Sequence, residues 1–510
     1  MTVIRQGDSA DIGLLLEGTF PYVSGGVSSW VNQIIRGFPQ LTFAVCFIGS
    51  QRQDYGDLRY ALPDNVVHLE THYIHDDKPH PPVHAKRSDP GMLASISALH
   101  KNFRTRRDIE AHTAFTEVLA QVRDGRYGYE DFLYGSDSWG FIRSQYEQHC
   151  TDPSFLDYFW TVRNMHAPLW FLFDIAREFI PVRAYHTIST GYAGFLGAVL
   201  KRLHNRPLLL SEHGIYTKER KIDLLQTLWI RDNRSFLERS NADVPYFRDL
   251  WVRFFGALGR ECYYSADRIV ALFEANRQRQ IQDGAPADRT LVIPNGIDLS
   301  RFKPLRESRE LEIPLYVGLV GRIVPIKDVG TFIRAMRTVV SKYPAVRIWI
   351  AGPEDEDPSY SSECRSLVAS LGLEGNVEFL GFQKMEALLP RVGLLVLSSI
   401  SEAQPLVVLE SFAAGVPCVT TDVGGCRQLI EGFTPEDSAL GSAGAVVRIA
   451  DPEALAEAIM AILLDPARWR QARDAAITRV ERYYTQEQMF ASYALLYKTA
   501  LSASASGSSR

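Results

Sequence analysis

In the segment GRIVPIKDV, Gly321 and Arg322 follow an apolar run, and Lys327 comes just before a helix expected to begin at Asp328. A guanidinium, an ammonium and the N–H groups at a helix start together make a diphosphate site that needs no metal. An arginine after a strand is also the ordinary sign of a solvated loop. In SEAQPLVVLESFAAG, Glu402 and Glu410 are separated by seven residues, the first in a loop entering a helix and the second inside that helix. At ~1.5 Å per residue they stand at most roughly 12 Å apart along the axis. Two carboxylates so placed can accept hydroxyls from opposite ends of a nucleotide-sugar. The bland alternative is a helix-cap Glu and an exposed Glu; the apolar LVVLESFAAG argues against it, because a Glu inside a buried helix needs a reason.

The first half of the chain offers weaker signals. Gly25 and Gly26 in EGTFPYVSGGVSSW lie between a strand and a helix, where glycines let backbone approach a phosphate; a plain left-handed turn explains them equally well. His186 ends VRAYH, and Glu212 and His213 end LLLSEH, so both imidazoles are expected on the rim at the strands' carboxyl ends, where either can orient a hydroxyl acceptor. A lone strand-end histidine is more often structural. Five histidines (His68, His72, His75, His80 and His84) crowd near Asp76 and Asp77 like a metal cluster, but the prolines from Pro79 to Pro90 predict a mobile loop without ligand geometry. Asp355, Glu356 and Asp357 read as solvated acids.

These residues require particular elements to position them. From Ile313 onward, β-branched runs (PLYVGLV, VRIWIAG, NVEFLG, GLLVLSS, VPCVTT) alternate with amphipathic stretches such as Asp328 to Ser341, which predicts βα repeats and a parallel doubly wound sheet. The first 300 residues repeat this grammar, with strands expected at Ile12–Leu16, Leu41–Ile48, Val182–Thr187, Pro207–Leu210, Arg268–Leu272 and Thr290–Ile293. Residues 74–165 fit poorly and read as an insertion. A linker is expected near 298–311, a last helix at Gln486–Leu501, and a disordered tail over 502–510.

Composition narrows the function classes. The 55 Lys+Arg against 60 Asp+Glu leave a formal charge of −5, scattered along the chain, which argues against a nucleic-acid face. No apolar window reaches the length of a spanning helix, and Ile12–Leu16 is too short for a signal core, so a cytoplasmic location is expected. Six cysteines without a CxxC suit reduced thiols. The chain lacks a GxxxxGK[ST] loop and a GxSxG elbow, so Walker-type phosphoryl transfer and α/β-hydrolase chemistry drop out.

Taken in order, GGV, SEHG, PNGID, GRIVPIK and the Glu402/Glu410 pair resemble the GT-B glycosyltransferases of family GT4, and the opening segment, the histidine-rich insertion, SEHGIYTKER and GGCRQLI are similar to the members that act in Pel exopolysaccharide synthesis. The resemblance implies two Rossmann-like domains facing across a cleft: an acceptor-side domain over 1–300 completed by the helix 486–501, and a donor domain over 305–483. It implies a retaining, metal-independent UDP-sugar transferase needing no cofactor, with UDP-GlcNAc, UDP-GalNAc or UDP-glucose as donor. Arg322 and Lys327 would bind the diphosphate beside Gly321, Glu402 the sugar, Glu410 the ribose, and the N–H groups of Leu406 and Val407 the phosphates. Gly25 and Gly26 would close over the diphosphate, and His213 would stand by the acceptor and the reacting carbon, with Glu212 and His186 near it. Implied partners are the growing polysaccharide and inner-membrane proteins of the Pel system, which would recruit the chain peripherally. The chain departs from the pattern at Gln428, where many relatives carry Glu, and at Ala403-Gln404-Pro405, where an aromatic is common. A UDP-sugar 2-epimerase of the same fold and a non-catalytic nucleotide-sugar scaffold are the competing expectations.

Overall fold

A computed structural model of the chain describes residues 2–76, 90–105, 108–123, 128–227, 229–234, 244–307 and 312–507. The chain divides into two compact units: the first holds Met1–Ala271, Arg277–Leu291 and Ala494–Arg510, the second Leu272–Asn276 and Val292–Tyr493.

The first unit is built on β1 (Thr2–Arg5), β2 (Ala10–Glu17), β3 (Phe43–Gly49), β4 (Val66–Tyr73), β5 (Val182–Thr187), β6 (Leu208–Glu212), β7 (Arg268–Ala271) and β8 (Thr290–Val292), in the spatial order β1-β4-β3-β2-β5-β6-β7-β8. β1 pairs antiparallel with β4, and the ladders from β4 through β7 are parallel. Strand order reverses between β2 and β5, which puts the loops after these strands at the switch point where such sheets bind ligands. β3 is buried throughout, as a parallel strand covered on both faces must be. Between β4 and β5 the chain runs through helices that include Pro90–Thr105, Ser136–His149 and Phe155–Glu178. The helix Phe155–Glu178 buries Val162, Leu169, Phe173 and Ala176 in the same core as Ala44, Cys46 and Ile48 of β3.

The second unit carries β9 (Tyr316–Val320), β10 (Arg347–Ala351), β11 (Val377–Gly381), β12 (Leu394–Leu397), β13 (Cys418–Thr421) and β14 (Gly444–Val447), all parallel, in the order β11-β10-β9-β12-β13-β14. Its switch point lies between β9 and β12. The period-two alternation sorts its apolar residues onto two faces: Ile348, Ile350, Leu394 and Val396 pack in one core, Trp349, Ala351 and Leu395 in another. The helix Val329–Lys342 buries Val329, Phe332, Ile333, Met336, Val339 and Val340 along one stripe, and Asp328 caps it by accepting from the Thr331 N–H at 3.2 Å.

Three expectations need correction. The segment read as a linker forms the helix Leu299–Glu307, whose Phe302 is fully buried in the second unit, so that unit begins before residue 300. The tail is helical as far as Gly507: Ala and Ser do not break a helix, and Arg206 Nη1 donates to Ser504 Oγ at 2.6 Å; residues 508–510 lie outside the described residues. His68 and His72 are in β4, not in a mobile loop. Both donate to the buried Glu70 carboxylate, at 3.1 and 2.8 Å, on the sheet face that also presents Cys46. Burial alone would raise the Glu70 carboxyl, but these two bonds outweigh it and hold it at about 2. Asp77, His80 and His84 of the same expected cluster fall outside the described residues.

Candidate functional site

The switch point of the second unit brings together residues 75 positions apart. Lys327 closes a short 3-10 turn (Pro325–Lys327) after β9, and its Nζ donates to Glu402 Oε1 at 2.5 Å in the loop after β12. Ser399 Oγ donates to the same oxygen at 2.6 Å, while Ser398 Oγ and the Ile400 N–H bond the carbonyls of Lys327 and Ile326 and hold the two loops in register. A third loop buttresses them. The Gly425 N–H reaches the Ala403 carbonyl at 2.7 Å, and a Cβ on Gly424, whose φ is +54°, would meet the carbonyl oxygens of Glu402 and Ala403 at 2.2 and 2.3 Å. Only glycine lets this backbone come so close.

The helix Leu406–Ala413 starts at Pro405 with no side-chain cap. The N–H groups of Leu406 and Val407 have no acceptor within the helix by position, so its first turn presents donors and the positive dipole end. Glu410, inside this helix, is partly buried, and burial pushes its carboxyl up to about 7, partly opposed by Arg301. Arg322 follows Gly321 as expected but is engaged: its Nη1 contacts both oxygens of Glu356 at 2.6 Å, with both side chains half exposed. Glu356, read from sequence as a solvated acid, is therefore the partner of the arginine it follows by 34 positions. Asp357 beside it caps the helix Pro358–Ser370. Exposed pairs of this kind cost little to exchange for another anion. Gln428, at the position where the family pattern has Glu, accepts from the Glu274 N–H at 3.5 Å and donates to the Tyr484 hydroxyl at 3.4 Å.

In the first unit the expected residues separate by role. Gly25 is extended and Gly26 opens the helix Gly26–Gly37; a Cβ on either would meet nothing within 4 Å, so neither is required by a left-handed turn. His186 does not reach the rim. It is fully buried one position short of the end of β5, with Nδ1 bonded to Tyr497 at 2.8 Å and Nε2 to Ser211 at 2.9 Å, and burial lowers its pKa to about 3. Both ring nitrogens are used, so the acceptor-side role expected of His186 is withdrawn. Glu212 is also buried and takes donors from Thr190, the Tyr216 N–H, Tyr263 and Gln280, leaving it a support of the loop that follows. His213 differs from both. It is 7% exposed, packs edge-on to Trp30 at 4.6 Å, and its Nε2 has no partner; burial lowers its pKa to about 4, which keeps it neutral.

Two doubly wound parallel-sheet units define the GT-B class, and comparison with known proteins agrees. The HepE protein of Anabaena, crystallised with UDP and glucose, superposes with a TM-score of 0.56 at 16% identity, over 96% of this chain and 99% of that one. The chain belongs to the family described as Domain of unknown function (DUF3492), matched over residues 10–288, and residues 314–465 match Glycosyl transferases group 1. A D-inositol 3-phosphate glycosyltransferase of Nocardia farcinica is 31% identical over 245 residues, 45% of this chain and 52% of that protein. An exopolysaccharide phosphotransferase of Streptomyces coelicolor is 35% identical over 214 residues, 41% of this chain and 21% of that protein. The matched region thus spans about half the length of the first of these relatives and a fifth of the second. Among the described residues no helix is long and apolar enough to cross a membrane.

Proposed function

We propose that the protein is a retaining, metal-independent glycosyltransferase that takes a UDP-sugar at the second unit's switch point and extends a polysaccharide, in the manner of a PelF-type polymerase of the Pel exopolysaccharide. The observation that carries the reading is the convergence of Lys327, Glu402 and the uncapped helix start at Leu406 on one rim. An incoming diphosphate exchanges for Glu402 at Lys327 and for Glu356 at Arg322, and the N–H groups of Leu406 and Val407 take further phosphate oxygens. Glu402, released from the lysine, accepts hydroxyls of the donor sugar, and Glu410 accepts those of the ribose. The two cations then stabilise the departing UDP as charge builds on it, and a phosphate oxygen on the same face takes the acceptor proton. Support comes from the match to group 1 glycosyl transferases and from a neighbour of the same fold that binds UDP with glucose. The Streptomyces relative's exopolysaccharide name supports the polymer assignment. N-acetylhexosamine donors, membrane recruitment and Pel-system partners belong to this reading.

The test is UDP release by purified protein with UDP-GlcNAc, UDP-GalNAc and UDP-glucose, with and without EDTA, with products read by mass spectrometry. One donor turned over in EDTA, with its sugar added to a glycan at unchanged anomeric configuration, is expected. Epimerised free UDP-sugar without transfer would replace the reading with an epimerase.

A further inference from the structure

One face of the first sheet buries a cluster that the transfer chemistry does not use. Cys46 of β3 and Glu70 of β4 are in register on neighbouring strands, and His68 and His72 stand two positions either side of Glu70, so the period of two puts all four on the same face. Each is at most 4% exposed. The Cys46 sulfur, a Glu70 carboxylate oxygen and a His72 ring nitrogen lie within 4.8 Å of one another. Around a tetrahedral ion bound at about 2.0–2.3 Å, ligand atoms stand roughly 3.3–3.8 Å apart. Small side-chain rotations therefore bring these three onto one centre.

Two further observations point to a cation. The hydrogen bonds around Glu70 are sorted as a metal site needs. The Gly7 N–H donates to His68 Nδ1 at 3.3 Å, which leaves the ring proton on Nε2 and makes His68 a donor to Glu70 Oε2 at 3.1 Å. His68 thus holds one carboxylate oxygen from behind, while Oε1 faces His72 Nε2 at 2.8 Å; such outer support orients a ligating carboxylate. The charge is also unbalanced. Among the described residues, the ion partners of the buried Glu70 are these two imidazoles and no lysine or arginine. Phe171 and Phe179 pack edge-on to His72 and His68, with ring centroids at 6.0 and 6.2 Å, so the surroundings are apolar. A carboxylate in such a place is costly unless it is paired or coordinates a metal.

We infer that Cys46, Glu70 and His72 bind a zinc ion that ties β3 to β4, with His68 supporting Glu70. A soft thiolate beside imidazole and carboxylate selects zinc over magnesium or calcium. On binding, the Cys46 S–H proton leaves to solvent and the His72 proton moves from Nε2 to Nδ1. The thiolate, the Nε2 lone pair and Oε1 then take the ion, whose two charges cancel one thiolate and one carboxylate. β3 and β4 run on into Gly49, Ser50, Ile74 and His75, which line a cavity at this unit's switch point, so the ion stiffens that wall. The inference does not depend on the transferase reading: no ligand belongs to the donor rim, and the zinc takes no part in the transfer.

Full-length protein produced in zinc- or cobalt-supplemented medium tests this. Elemental analysis is expected to find about one metal per chain, and zinc X-ray absorption of the wild type one sulfur at about 2.3 Å with nitrogen or oxygen at about 2.0 Å. The cobalt form is expected to show a thiolate charge-transfer band that persists in Cys150→Ala, a half-buried thiol outside the cluster, and is lost in Cys46→Ser. His68→Gln should keep the band and weaken zinc affinity on the order of 10–100-fold. Zinc at about a hundred times Kd should raise Tm by roughly 5 °C in metal-free wild type and leave Cys46→Ser unmoved. Folded wild type that takes up no metal would overturn the inference and leave a hydrogen-bonded cluster only. Metal retained in full by Cys46→Ser, or an absorption spectrum without sulfur, would overturn it too. If Cys46→Ser does not fold, the stoichiometry and sulfur signature of the wild type decide alone.

Discussion

The two sheets share a winding order and a switch point, yet their rims are furnished oppositely. In the second unit the rim's cations are present and already paired, Lys327 with Glu402 and Arg322 with Glu356, beside a helix start that lacks a cap. In the first unit the rim has one arginine, stacked on Phe255 with its Nε unpartnered, amid carboxyls and unpartnered hydroxyl and imidazole groups. Topology therefore fixes where a ligand sits and the side chains fix its polarity. Exchangeable ion pairs suit an anion, whereas the first rim offers orphan hydrogen-bonding groups in place of such pairs.

The comparison breaks hardest where the second rim is supported from beneath. Arg479 is fully buried; it pairs with Asp437 at 2.6 Å and donates to the carbonyls of Ile430, Asp437 and Gly441, directly beyond the loop that buttresses Glu402. Arg479→Leu leaves Asp437 and these carbonyls unpaired, and denaturant unfolding is expected to show a loss of about 3–5 kcal/mol. Lys327→Ala is expected to lower turnover of the preferred UDP-sugar by on the order of 10²–10³-fold, the scale for removing one donor aimed at developing charge; an unchanged rate would separate the pair from the chemistry.

The first unit is sharpened by contrasting His186 beneath the rim with His213 on it. His186→Phe should cost about 1–3 kcal/mol in stability, because Ser211 and Tyr497 lose their partner, while the folded protein keeps its kcat. His213→Ala should also cost about 2–4 kcal/mol, because it empties a buried site against Trp30, but unlike His186→Phe it should slow transfer to an acceptor in the folded protein about ten-fold, roughly one hydrogen bond's worth. The smallest effect concerns Glu410. Its carboxyl, raised to about 7, is the acceptor form only above that pH. The KM for donor should thus rise by up to about ten-fold as pH falls from 8 to 6, and Glu410→Gln should flatten the profile.

Much of the second unit was readable in the chain because β-branched runs and 3.6-residue stripes coincide there: the helix expected at Asp328 to Ser341 runs Val329–Lys342, with Asp328 as its cap. Lys327 and Glu402 were legible as separate signals, but their meeting depends on β9 and β12 being neighbours, which sequence order conceals. His186 was misplaced by a single strand position, and its partner Tyr497 lies 311 residues away. The proline-rich run after residue 78 masked the alternation of His68, Glu70 and His72, which share one face of β4 only if the strand runs to Tyr73. The orphan atoms of the first rim left no sequence signal, since a single Thr or Ser in a loop is ordinary. Their absence of partners exists only in the folded chain.

The division of labour between the rims is tested most directly by titrating UDP into the wild type, Lys327→Ala and His213→Ala. The account predicts that UDP affinity falls at least ten-fold in Lys327→Ala and stays within two-fold of wild type in His213→Ala. Loss of UDP binding in His213→Ala with Lys327→Ala unaffected would contradict it.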